Sequence, residues 1–186
     1  MIHGIRTVQF ATFASCALWV SCKPQAPDPA QLTAVDQLIS TTDAAMLTLN
    51  ELDRGRYLRS DSLFVQQRVG FVERFRDTLD PRSAQALGDQ FIALRASHEM
   101  GADHERLLDE IGTTSERLRT LRNDLANGAI KVHDAAPIIA SEQKRHTLLI
   151  DAVHRVMDNY RVLQHAWDRR DTVAMLLSDT NTPALP

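Results

Sequence analysis

Seven histidines, two cysteines and scattered carboxylates are the groups in this 186-residue chain with chemical potential. His98, Glu99, Asp103 and His104 crowd one short stretch, and imidazole with carboxylate is a ligand set that suits zinc. On a straight helix His98 and His104 point in different directions, so only a distorted turn would let them share a metal ion. Asp151-x-x-His154 has the step of helical carboxylate-bridged iron sites, which need a second such motif and two more inward glutamates; one copy is present. Glu142 and His146 stand one turn apart on a helical seam. There they read as a polar layer that sets register, or as a proton sensor, since histidine titrates near neutral pH.

Familiar catalytic signatures are missing. The sequence has no glycine-rich phosphate loop, no Gly-x-Ser-x-Gly elbow and no Cys-x-x-Cys-His haem attachment. Serines are scattered without a His and Asp arrangement beside them. We therefore expect no enzyme activity and no resident cofactor.

Composition sets the frame for these residues. At 44% hydrophobic and 24% charged, the chain matches an ordinary folded protein and is long enough to bury a core. Its 21 basic and 24 acidic residues give a net charge of −3, and no basic stripe suggests nucleic acid. Glycine and proline number seven each, and prolines 24, 27, 29, 183 and 186 lie at the ends, a distribution that favours long helices.

The amino terminus is different. MIHGIR carries one firm positive charge, Arg6, and Thr7–Ser21 is an uncharged, mostly apolar run. Fifteen residues fall short of the roughly 20 that span a bilayer, but suit the apolar core of a signal peptide. A polar, proline-rich stretch, CKPQAPDPAQ, follows. Both cysteines, Cys16 and Cys22, fall in this region and the body has none.

Val20-Ser21-Cys22 resembles the lipobox of bacterial lipoproteins, with a small residue directly before the cysteine and Trp19 where leucine is usual. Phe13-Ala14-Ser15-Cys16 is a competing match that would leave an apolar region of only about nine residues. The resemblance implies cleavage before Cys22, lipidation of Cys22, and attachment to the bacterial cell envelope facing the periplasm. It implies the outer membrane over the inner, because Lys23 follows the cysteine where aspartate would favour retention. Two or more acyl chains give stable anchoring at roughly 0.8 kcal/mol per buried CH₂. The expected organisation is a signal peptide over 1–21, a lipidated cysteine and tether over 22–29, a helical bundle over 30–180 and a tail over 181–186.

Through the body, apolar residues recur at steps of three and four. The spacing predicts a first helix over 29–53, ended by Gly55, and a second over 60–78, capped by Ser60 or Asp61. A third, over 81–126, starts at Asp80-Pro81 and shifts register at a kink near Gly101. The fourth, capped by Asp134 with Pro137 in its first turn, runs to Ser178. Antiparallel pairing of the last two matches Leu125 with Ile139, Leu118 with His146, Ile111 with Val153 and Met100 with Leu163. The fold class is thus all-α: an antiparallel bundle of four helices, two short and two long, the long pair forming an extended coiled-coil-like hairpin. Both short helices are expected beside 81–100 and 160–178, leaving a two-helix arm whose Gly128 tip faces away from the membrane.

Anchor, long helices and missing catalytic signatures together suggest a structural or protein-interaction bundle. Its expected partners are the membrane, through the lipid, and an envelope protein, but not nucleic acid. Apolar residues near the tip, Ile130, Val132, Ile138 and Ile139, are a candidate surface for homo-oligomers. A metal- or small-ligand-binding periplasmic sensor using His98, His104 or His146 is the alternative.

Overall fold

A computed structural model describes residues 27–178; the expected signal peptide over 1–21, Cys22 and the tail expected over 181–186 lie outside them. The described chain is all helical: α1 (Pro29–Asn50), α2 (Gly55–Arg74), α3 (Pro81–Arg95), α4 (Ser97–Ala126), α5 (Val132–Asp168) and α6 (Arg170–Ser178). These six helices form three legs of nearly equal length, running down through α1 and α2, up through α3 and α4, and down through α5 and α6. At 1.5 Å per residue each leg spans roughly 70 Å.

The two true reversals are chemically distinct from the breaks within legs. At the α4–α5 turn Gly128 takes φ 70°, the only positive φ among the described residues. The N–H of Ala129 bonds the Asp124 carbonyl at 2.9 Å and that of Gly128 bonds Leu125 at 3.2 Å, a Schellman ending that turns the chain back. At the α2–α3 turn Asp80 is the cap, accepting from the N–H groups of Arg82 and Ser83, with Pro81 in the first turn as expected. By contrast Glu51 and Arg54, between α1 and α2, both keep right-handed helical dihedrals. The chain there continues onward.

That difference overturns the expected layout. The two short helices are not side by side at one end; they lie in series and cover the whole hairpin. Val35 of α1 shares a cluster with Leu121, Leu125, Ala135 and Ile139 beside the α4–α5 turn. Ala45 and Leu49 pack lower, with Leu107, Ile111, Leu149, Val153 and Val156. Tyr57 and Phe71 of α2 join Leu87, Leu94, Tyr160, Leu163 and Val173 in the third cluster. No two-helix arm exists, because α1 fills its groove, and the bundle has three legs where four were expected. Gly55 does not end a helix but starts α2, and Ser60 is fully buried inside it, not a cap.

Smaller differences follow the same physics. The expected kink at Gly101 is a break at Ala96, and the last helix breaks at Arg169. In the register of the seam those two breaks fall opposite each other. α5 begins at Val132 rather than after Asp134, so Pro137 sits inside the helix and leaves the His133 carbonyl without its usual N–H. The seam itself stands as read. Leu125 and Ile139 share one cluster, Ile111 and Val153 another, and Leu163 packs in the third with Met100 against it.

Candidate functional site

Two of the polar groups that interrupt the apolar interior hold candidate residues: Glu142 and His146 in one, His104 in the other. The first lies between the upper two clusters. Glu142 of α5 is buried and receives Arg117 Nε of α4 at 3.0 Å and Arg145 Nη1 of its own helix at 3.0 Å. Arg117 also reaches the Thr114 hydroxyl at 3.4 Å. On α1 the buried Thr42 hydroxyl turns back to the Leu38 carbonyl at 2.7 Å. Beside it Asp43 accepts from Ser115 at 3.0 Å and from Arg119 at 2.9 Å, and Asp36 binds Arg122 one level higher.

These ties fix α1 against α4 in one register. Sliding α1 by a turn would part Asp36 from Arg122 and Asp43 from Ser115 and Arg119, a penalty that apolar packing alone would not impose. Glu142 and His146 are both on the seam, but they are not a pair, because Glu142 is held by two arginines. His146 is half-buried, and burial lowers its pKa. Its Nε2 has no hydrogen-bond partner among the described residues.

A second group lies where α1 hands over to α2. His104 is fully buried, and its Nε2 donates to the Leu49 carbonyl oxygen at 3.1 Å. A carbonyl only accepts, so Nε2 carries the proton and Nδ1 is left bare, without a partner among the described residues. Burial is the main cause lowering the His104 pKa, so the ring stays neutral. The Asp53 N–H donates to the Tyr160 hydroxyl at 3.2 Å. Tyr57 sits edge-on to both His104 and Tyr160, with ring centres 5.6 and 5.7 Å apart. Its hydroxyl is pushed up to about pKa 12, first by burial and then by Tyr160.

Glycine makes room for a close helix approach here. A Cβ on Gly101 would stand 3.1 Å from Tyr57 Cβ, so the missing side chain lets α2 approach α4. Next to this contact opens a cavity of about 260 Å³, its wall including Arg54, Tyr57, Asp61, His98, Gly101 and Glu105.

His98 and His104 are not brought together. His98 lies exposed on the cavity rim, whereas His104 is enclosed against Leu49 and Tyr57. Asp103 pairs with Arg106 on the surface. Among the described residues no three His, Cys, Asp or Glu side chains converge as metal ligands would. Asp151 and His154 are both exposed. What the arrangement does chemically is lock helices in place.

Sequence reasoning missed three features. Tyr57 was unassigned because it falls on the Gly55 side of what looked like a loop. The arginines of Glu142 come from a neighbouring helix and from the i+3 position, and only register reveals the first. Trp167 is half-buried under the guanidiniums of Arg56, Arg59 and Arg170, whose central carbons stand 5.2, 5.9 and 5.0 Å from its ring.

No known protein family matches this sequence, and neither a curated protein nor a solved structure shows significant similarity to it. Its class is therefore defined by the described fold alone, an all-α protein.

Proposed function

We propose that this is a lipid-anchored envelope protein whose helical bundle presents an interaction surface to another envelope component. The anchor is Cys22, in the lipobox-like Val20-Ser21-Cys22. One structural observation gives the reading its direction: α1 starts beside the α4–α5 turn. There Gln31 Nε2 donates to the Val132 carbonyl at 2.9 Å, and Leu32 packs against the upper cluster.

Asp28 is six steps along the chain from Cys22, and at about 3.5 Å each they reach no more than about 20 Å. The legs are more than three times that length. A lipidated Cys22 thus places the α4–α5 turn at the bilayer and carries α2, α3 and α6 outward. This reverses the orientation expected from sequence, in which the Gly128 turn pointed away. Most of the exposed large apolar side chains, Leu58, Val65, Val69, Val72 and Ile92 among them, belong to the outward half, with Leu47, Ile138 and Leu148 in the other. No helix among the described residues is long and apolar enough to cross a membrane, so attachment on this reading rests on the acyl chains.

Metabolic palmitate labelling tests the anchor. Wild type and Cys16→Ala are expected to incorporate label and Cys22→Ala to lose it. Retention of label by Cys22→Ala would remove the proposal's foundation.

A further inference from the structure

α2 carries two opposite faces, and one of them has no partner among the described residues. Towards the bundle it presents Tyr57, Ser60 and Phe71, all buried. On the far side Leu58, Val65, Val69 and Val72 are 72, 68, 66 and 48% exposed. Steps of seven, four and three put these four within one narrow stripe, at 100° per residue. The solvent side of a surface helix is ordinarily polar, and an aligned apolar stripe of about 20 Å is the spacing of a coiled-coil seam.

We propose that this stripe is an interface with a second copy of this chain, α2 against α2 antiparallel about a two-fold axis at Val65. Charge selects that occupant and that direction. Asp61 and Arg68 both flank the same edge of the stripe, and neither has an ion-pair partner among the described residues. Antiparallel packing brings like edges together. Centred on Val65, it sets Leu58 against Val72 of the second copy and Asp61 beside its Arg68, and symmetry repeats each contact. A parallel pair would instead face Asp61 with the opposite edge, where Ser62 and Gln66 stand. Only the antiparallel arrangement satisfies both charges.

The stripe is short, so affinity falls in the weak range of small interfaces, and confinement to a membrane surface would raise its occupancy. This inference does not depend on the anchor. Sedimentation velocity on the full chain in non-ionic detergent, up to about 100 µM, reads it directly through mass action. Wild type is expected to dimerise reversibly, and Val65→Asp to stay monomeric with unchanged helical circular dichroism. Asp61→Arg and Arg68→Asp should each weaken the dimer at least about tenfold, and the double exchange should return it to within about threefold of wild type. A wild type monomeric throughout, or a dimer indifferent to Val65→Asp, overturns the interface. Weakening by both single exchanges without rescue by the double overturns the antiparallel pairing, and the proposal with it.

Discussion

The Nε2 of His104 donates its proton to the main-chain carbonyl of Leu49, 3.1 Å away and 55 positions earlier in the chain. That bond ties the end of α1 to α4 at the point where the first leg passes from one helix to the next. The Leu49 carbonyl, near the end of α1, accepts the Leu52 N–H at 3.2 Å and has a second lone pair for a further donor. A buried histidine supplies one, and its own neutrality is enforced by the same burial.

Removing that donor exposes the cost. His104→Ala leaves a buried carbonyl with one partner fewer and opens a void beside Tyr57 and Tyr160. We expect a loss of about 2–4 kcal/mol in urea unfolding, with Tyr160→Phe costing about 1 kcal/mol through Asp53. Equal stability of His104→Ala and wild type would show the contact to be incidental.

Acid should weaken the fold through histidine. His104 and His146 both have folded pKa values below 6.5, so the unfolded chain binds the extra protons first. Their contribution is complete above about pH 6.5 and declines as pH falls below it, by up to about 1.4 kcal/mol per pH unit for each ring, until the folded values are reached. A variant with both changed to glutamine should show a flatter stability profile between pH 6.5 and 5 than wild type. Parallel profiles would contradict the assignment.

Glu142 and its arginines should respond asymmetrically. Arg117 and Arg145 are part-exposed and can return to water, whereas Glu142 cannot. Replacing Glu142 by Gln is expected to cost about 1 kcal/mol or less. Removing both arginines strands a buried carboxylate, at about 3 kcal/mol. Chemical denaturation of the two variants checks the order, and the reverse order would mean that Glu142 is solvated.

Two glycines give opposite signs for one substitution. Gly101→Ala drives a Cβ against the Tyr57 stem and should destabilise by about 1–3 kcal/mol. Gly88→Ala, with nothing within 4 Å, should stabilise α3 by about 0.5–1 kcal/mol. Thermal unfolding of both variants reads the difference, and a shared sign would contradict the close approach of α2 and α4.

Much of this architecture is legible in the sequence because the seam is heptad-like. On α4 Ile111, Leu118 and Leu125, three of the residues paired across the seam, are buried, and Leu149, Val153, Val156, Tyr160 and Leu163 are buried on α5. Asp80-Pro81 and Asn127-Gly128 mark reversals because side-chain capping and a left-handed glycine are local chemistry. The course of the first leg is not local. Gly55 looks like Gly128 in the sequence, yet it occupies a right-handed helix, and only its packing against neighbours decides that. Candidate residues shared this limit: a histidine near carboxylates reads as a ligand until a main-chain carbonyl from another helix claims it.

The orientation of the bundle on its membrane is the central claim, and energy transfer from the protein to the bilayer tests it most directly. Full-length protein processed in cells and reconstituted into liposomes with a headgroup acceptor would carry one donor dye, at Ala129→Cys in the α4–α5 turn or at Thr78→Cys beyond α2. Strong transfer from position 129 and little from 78 is the expected result, since the two ends stand roughly 70 Å apart. Stronger transfer from 78 than from 129, or equal and negligible transfer from both, would contradict it.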